Sequence, residues 1–136
     1  MSQENLEVVR EVLALRGRLG TREPQARLFE LIAPDVTLDM SRRTFNPEVY
    51  EGHDDLLRFQ REMDEVWEEF LQMPEQMIDA GENVVVIESL RFRGRGSGIE
   101  ITSRFATVWT VREEQVVLVT MYPDPQEALK AVGLEE

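Results

Sequence analysis

Two carboxylates are the residues of this chain best suited to acid and base chemistry. Asp39 ends a short apolar stretch, and Glu88 interrupts an otherwise apolar face of the strand Val84–Arg93. A carboxylate enclosed by apolar side chains has a raised pKa, which suits proton transfer near neutral pH. The alternative for both is structural, and we favour it: Asp39 would cap the following turn. Glu88 would pair with an arginine such as Arg91 or Arg104.

Tyr50 and His53 could donate hydrogen bonds or shuttle a proton. His53 is the only histidine, and imidazole changes its charge near physiological pH. A histidine that follows a glycine at the start of a helix more often belongs to the helix cap, and we favour that interpretation. One histidine with scattered carboxylates makes a poor transition-metal site, so we predict neither a metal nor a cofactor.

Arginines form local exceptions to an acidic composition. Arg42 and Arg43 lie in an irregular segment and could clamp an anionic ligand at the mouth of a pocket. Strand alternation places Arg91 and Arg93 on the face opposite the buried glutamate, where a solvated or dimer-face role is expected. The stretch Gly94–Gly98 superficially resembles a phosphate loop. It lacks the lysine of that motif and precedes a strand, so we predict a hairpin with glycines at positive φ.

Charge and composition exclude several classes of protein. The 136 residues include 15 basic and 27 acidic side chains, a net charge of −12 that repels nucleic acid and anionic membranes alike. There is no cysteine, so disulfides, thiol catalysis and zinc–thiolate sites are excluded. The start of the chain is charged, and no apolar run approaches the roughly 20 residues that cross a bilayer. We therefore expect one cytoplasmic domain over residues 1–136, with no nucleic-acid or membrane partner.

The predicted elements run helix, helix, short strand, helix, then strands and a short final helix. Gly17 and Gly20 are expected to end the first helix, and Thr21 with Pro24 to begin the second. In the third helix, apolar residues repeat every three or four positions and predict one core-facing stripe: Leu56, Phe59, Met63, Val66 and Phe70. The predicted strands are Val36–Met40, Phe70–Ile78 with an edge or bulge at Pro74, Val84–Arg93, Ile99–Val111 and Val116–Tyr122.

Short motifs along nearly the whole chain resemble the nuclear transport factor two-like superfamily. Within it, the chain is most similar to the SnoaL-like group, which includes polyketide cyclases and stands beside ketosteroid isomerases and limonene-epoxide hydrolases. Because one fold hosts many activities, the motifs indicate the fold more than the reaction. The motifs are Leu28–Leu31, Pro34–Asp39, Val49–His53, Ile78–Gly81, Gly94–Gly98, Val108–Thr110 and Tyr122–Asp124.

The resemblance implies an α+β cone, in which a curved antiparallel or mixed sheet wraps around three N-terminal helices. Its concave face would enclose an apolar pocket for a small molecule, and its convex face would form a homodimer. The side chains expected on the concave face are Val84, Val86, Glu88, Leu90, Phe92, Ser103, Phe105, Thr107, Trp109, Val119 and Met121. The candidate ligand-binding residues are Met40, Tyr50, His53, Leu90, Phe105, Thr107, Trp109 and Met121.

The catalytic positions of these relatives are mostly not filled in this chain. The resemblance places the general base of the ketosteroid isomerases near Met40, and their two hydrogen-bond donors near Val12 and Thr107. The epoxide hydrolases have an arginine followed two residues later by an aspartate, whereas Arg104 is followed by Ala106. The SnoaL-type cyclases have an acid on the late strands, whereas Ile101–Arg112 and Val116–Tyr122 contain no Asp, Glu or His. All three known activities are therefore in doubt.

Three hypotheses for the function follow. The first is a pocket for a small, largely apolar metabolite, with acid–base catalysis of the cyclase or isomerase type by Asp39 and Glu88 as an option. The second is a carrier or sensor that binds a ligand without chemistry. The third is a dimeric association module whose interior is filled.

Overall fold

The computed structural model describes residues 2–15, 22–43 and 47–134, so Gly17, Gly20 and Thr21 lie outside the described residues. The described chain forms the predicted α+β cone. Its helices are α1 (Ser2–Leu15), α2 (Arg22–Leu31), α3 (Gly52–Val66) and α4 (Pro125–Ala131). Its strands are β1 (Ile32–Asp39), β2 (Val49–Glu51), β3 (Trp67–Ala80), β4 (Asn83–Gly94), β5 (Glu100–Arg112) and β6 (Gln115–Tyr122).

The six strands form one mixed, curved and unclosed sheet. Their order is β2-β1-β6-β5-β4-β3, so β2 and β3 are the two edges. The first strand runs parallel to β6, and all other neighbours are antiparallel. None of the helices, over the described ranges, is long and apolar enough to span a membrane.

The concave face of the sheet packs on α1 and α2. Val84 and Val86 are fully buried there, next to Trp109 of the neighbouring strand and Val9 of α1. Val119 joins the same cluster from β6. The prediction that these side chains face the concave side is thereby confirmed. Because side chains alternate along a strand, every second residue faces the same side. The pairs across β4 and β5 are Val84–Trp109, Val86–Thr107, Glu88–Phe105, Leu90–Ser103 and Phe92–Ile101.

The convex face has a smaller core of its own. Val85, Ile87 and Val108 face this side and are covered by α4, whose Ala128 is fully buried. Asp124 caps this helix, because its side chain accepts a hydrogen bond from the Gln126 N–H at 2.9 Å. The final helix therefore covers one half of the convex face, and no described element covers the other half, where Leu71 and Met73 are exposed.

Two prolines lie where the ladder of the sheet is interrupted. β1 begins at Ile32 rather than at Val36, and Pro34 lies inside it, where the pairing with β6 shifts between Ile32 and Thr37. Pro34 needs no ladder N–H at such a shift, so it does not prevent the strand. The bulge predicted at Pro74 is confirmed, because the pairing of β3 with β4 shifts between Pro74 and Gln76.

Candidate functional site

Helix α3 crosses the open end of the cone from one sheet edge to the other. It lies against β1 and β2 on one side and against β3 on the other. Among the described residues it has no comparable contact with the central strands β4, β5 and β6. Its apolar stripe, which includes Leu56, Phe59 and Met63, is only half-buried, and none of its residues is fully buried. An amphipathic helix that packs directly on a sheet would bury that stripe.

The concave face opposite α3 carries the largest group of predicted site residues. Glu88 is fully buried and lies beside Phe105 across the β4–β5 pair. Thr107 is paired with Met121 on β6. The indole Nε1 of Trp109 donates a hydrogen bond to Thr107 Oγ1 at 2.6 Å, which leaves the threonine hydroxyl hydrogen directed elsewhere.

The two arginines considered as partners of Glu88 lie on the other side of the sheet. Arg91 pairs with Glu69 at 3.4 Å, and Arg104 pairs with Glu75 at 3.1 Å. These are cross-strand ion pairs on the convex face, as alternation predicts for Arg91. Arg91 and Arg104 are therefore engaged on the convex face, and the pairing of Glu88 with an arginine stays a prediction.

Asp39 does not join Glu88. Leu38 and Met40 point into the main core, so alternation directs Asp39 away from it. Its carboxylate accepts hydrogen bonds from the Ser41 N–H at 2.9 Å and the Ser41 hydroxyl at 2.6 Å. The hydroxyl bond, with help from the Ser41 N–H and Arg42, lowers the pKa of Asp39. The raised pKa expected for this carboxyl is wrong, and the turn-capping alternative describes it.

Tyr50 is the best-buried aromatic residue of the site, with 1% of its surface exposed. Its hydroxyl donates to Glu62 Oε1 at 2.8 Å, and its ring meets Phe59 edge to face at 5.1 Å. Burial raises the pKa of the Tyr50 hydroxyl, so it stays protonated. Tyr50 thereby links β2 to α3.

Arg58 completes this link. Its guanidinium lies 4.7 Å from the centre of the Tyr50 ring and donates to Glu62 at 2.8 Å. It also forms an ion pair with Glu48, just before β2. The bond from Tyr50, supported by Arg58, lowers the pKa of Glu62. The sequence analysis did not single out Arg58 and Glu62, although their spacing of four residues on a helix is a recognisable signal.

His53 is held apart from the other candidates. Its Nε2 lies 2.9 Å from the carbonyl oxygen of Ile32, so this nitrogen carries the proton and donates. The ring stacks on Phe29 at 4.1 Å. His53 thus ties the start of α3 to the end of α2, and it does not cap its own helix.

Arg42 and Arg43 diverge, although they are neighbours in the chain. Arg42 lies 4.7 Å over the ring of Tyr122, which packs against the convex core. Arg43 lies 5.9 Å from the ring of Phe59, and its Nη2 donates to the Tyr50 hydroxyl at 3.4 Å. The pair does not form one clamp, because only Arg43 reaches the side on which α3 lies.

The glycine-rich loop binds the C-terminal end of α3 through Arg95. Arg95 Nε donates to the carbonyl oxygen of Asp64 at 2.6 Å, and the Arg95 N–H donates to that of Val66 at 3.1 Å. A cation at the last carbonyls of a helix also complements its dipole. Gly96 and Gly98 have φ of 78° and 69°, which confirms the predicted hairpin.

Two surface concavities have no lining residue from α3, although Leu90 contributes to the second of them. One, of about 490 Å³, lies between α1, α2 and the β5–β6 turn and is lined largely by carboxylates, including Glu7, Glu11 and Glu113. The other, of about 500 Å³, lies over β3, β4 and β5 beside Met73, Arg91 and Thr102. Within the described ranges, no three His, Cys, Asp or Glu side chains are grouped so that they could hold a metal ion.

The sequence itself decides the family. A model of the SnoaL-like domain matches residues 12–119. The chain belongs to the SnoaL-like domain family. No curated protein matches it.

Solved structures show that this SnoaL-like domain has the NTF2-like fold. An NTF2-like protein of unknown function from Burkholderia pseudomallei is 24% identical, with 98% of this chain and 99% of that chain covered and a TM-score of 0.74. TerC, co-crystallized with polyporic acid, is 18% identical, with 95% and 98% covered and a TM-score of 0.73. A putative SnoaL-like polyketide cyclase from Jannaschia is 18% identical, with 100% and 96% covered and a TM-score of 0.74.

Proposed function

We propose that this SnoaL-like domain binds a small, largely apolar molecule between α3 and the central strands of the sheet. The observation that carries the proposal is the position of α3. A strongly amphipathic helix crosses the sheet from edge to edge, yet it buries none of its residues fully. A ligand beneath it would cover the exposed part of its apolar stripe, a favourable burial of about 25 cal/mol per Å² of apolar surface.

The side chains around this space, which we call the interior pocket, are mostly apolar. We expect Phe59 and Met63 to line it from α3, and Leu90, Phe105 and Met121 from the sheet. The polar groups of Glu88 and Thr107 lie on the same concave face. An apolar wall with a few polar groups is the usual composition of a small-molecule site. The co-crystallization of TerC with polyporic acid supports a small organic ligand for this fold.

We favour binding without chemistry, in a carrier or a sensor. The two-carboxylate mechanism needs Asp39 beside Glu88, and Asp39 is engaged by Ser41 and Arg42 on the other face of β1. A second candidate function is proton transfer by one carboxylate, favoured by the complete burial of Glu88 among apolar strand residues.

Titration with phenylnaphthylamine, a neutral apolar dye whose fluorescence rises in apolar surroundings, tests the pocket. Leu90→Trp should fill it and weaken dye binding at least about tenfold, equivalent to about 1.4 kcal/mol. Ile99→Trp is the matched control, since Ile99 is 63% exposed at the hairpin tip, and it should leave the dye affinity unchanged. Equal effects of the two substitutions would place the dye elsewhere and refute the pocket.

We also propose that two copies associate through the uncovered half of the convex face. Leu71 and Met73 are 40% and 54% exposed there. Around them, the pairs Arg91–Glu69 and Arg104–Glu75 carry equal positive and negative charge. A patch that carries both positive and negative charges can be complementary to the same patch of a second copy across a two-fold axis.

We also propose that the chain forms a single domain. The two cores lie on opposite faces of one sheet, which supports one unit over the described residues. A cytoplasmic location stays a prediction from the sequence.

A further inference from the structure

Thr107 and Trp109 form a polar pair on the concave face of β5. The indole Nε1 of Trp109 donates a hydrogen bond to Thr107 Oγ1 at 2.6 Å. An indole nitrogen only donates, so the threonine hydroxyl must direct its own hydrogen to a different group. Within the described part of the chain, the Thr107 hydroxyl makes no further hydrogen bond. The bond from Trp109 therefore fixes Thr107 as a donor, and its acceptor is not among the side chains around it.

The immediate neighbours of this hydroxyl are apolar. Thr107 has 5% of its surface exposed and is paired with Val86 on β4 and Met121 on β6. A buried hydroxyl whose hydrogen has no acceptor is unfavourable, because folding removes the water that would accept it. A ligand oxygen at this place would take the position of that water and make the same hydrogen bond.

We propose that Thr107 makes the interior pocket selective for apolar molecules that carry a neutral acceptor oxygen, such as the carbonyl oxygen of an ester or a ketone. This inference rests on the proposed ligand site, since Thr107 lies on the concave face that forms its wall. The incoming N–H bond polarises the hydroxyl and strengthens its own donation. A site built to hydrogen-bond one ligand group discriminates against analogues that lack this group, because its buried polar atom is then left unpaired.

Two neutral dyes with the same aromatic body test the inference. Prodan carries a propionyl group on dimethylaminonaphthalene, and the parent dimethylaminonaphthalene lacks that carbonyl. We expect Thr107→Val to weaken prodan binding about fivefold, the loss typical of one neutral hydrogen bond, and to leave the parent dye unaffected. The emission of bound prodan should also move to shorter wavelength in this variant, because a hydrogen bond to the carbonyl moves it to longer wavelength.

Thr120→Val is the matched control. Thr120 is as well buried, with 8% of its surface exposed, but it is paired with Val108 of the convex core and so lies on the opposite face of the sheet. This substitution removes the same hydroxyl and should change neither affinity. Thr107→Ser separates hydrogen bonding from packing, because serine keeps the hydroxyl and should keep the preference for prodan over the parent dye.

Three results would overturn the inference while leaving the pocket in place. They are an unchanged prodan affinity in Thr107→Val, an equal weakening of both dyes by this substitution, and the same loss of prodan affinity in Thr120→Val. If Leu90→Trp weakens neither dye, the interior pocket itself fails and the inference fails with it.

Discussion

At the scale of single residues, the structure separates two carboxylates that the sequence treats alike. Both end or interrupt apolar strand segments, so their types and spacing could not tell them apart. Strand register decides the difference: Glu88 shares the concave face with Phe105, and Asp39 points away from the core beside Leu38. Of the two carboxylates, only Glu88 lies on the concave face, where we propose that the ligand binds.

Replacing Asp39 with Asn should affect stability and not ligand binding. At neutral pH we expect a loss of about 1 kcal/mol, because the amide is a weaker acceptor for Ser41 than the carboxylate. The pKa of Asp39 is lowered in the fold, so its stabilisation is present above the ordinary carboxyl range and disappears as the pH falls below about 4. Urea denaturation of both proteins at several pH values measures this difference. A loss that persists at low pH, or a weakened dye affinity, would contradict the capping role.

At the scale of elements, polar links hold α3 at its middle and at its C-terminal end, and its apolar face is only half-buried. Tyr50 and Arg58 fasten its middle to β2, and Arg95 caps its end from the β4–β5 hairpin. Such links can position a helix over a space that its apolar side chains do not fill.

Tyr50→Phe tests this fastening because it removes the hydroxyl and keeps the ring. We expect a loss of about 1 kcal/mol near pH 7, typical of one hydrogen bond. The pKa of Glu62 is lowered by the Tyr50 bond, so the stabilisation is complete above the ordinary carboxyl pKa and is lost as Glu62 becomes protonated at low pH. Tyr122→Phe is the control, since Tyr122 lies outside this network on the convex side. Equal losses in both variants would argue against the fastening.

The sequence predicted the elements of the strand half well, because alternation and turn residues act locally. The bulge at Pro74 and the hairpin at Gly96 and Gly98 follow from single residues whose backbone preferences are narrow. The short strand β2 and the position of α3 across the sheet edges depend on distant partners, such as Tyr50 with Glu62 and Arg95 with Asp64. The divergence of Arg42 and Arg43 likewise became visible only in the folded chain.

At the scale of the whole molecule, the convex face is divided between α4 and an open half. The open half offers exposed apolar side chains with balanced charge, and we expect it to join two copies. Met73→Glu adds a charge at its centre and should weaken the dimer at least about tenfold in sedimentation equilibrium, since like charges would face each other across the axis. Ile99→Glu, at the exposed hairpin tip, should leave the association unchanged. A native protein that stays monomeric at every concentration would refute the interface.

The most direct test of the central claim is a crystal structure of the protein under xenon pressure, because xenon enters dry apolar cavities. We expect an anomalous peak inside the cone, between Phe59 or Met63 of α3 and Leu90 or Phe105 of the sheet. Side chains that close this space, with xenon bound only on the outer surface, would contradict the ligand site and favour an association module with a filled interior.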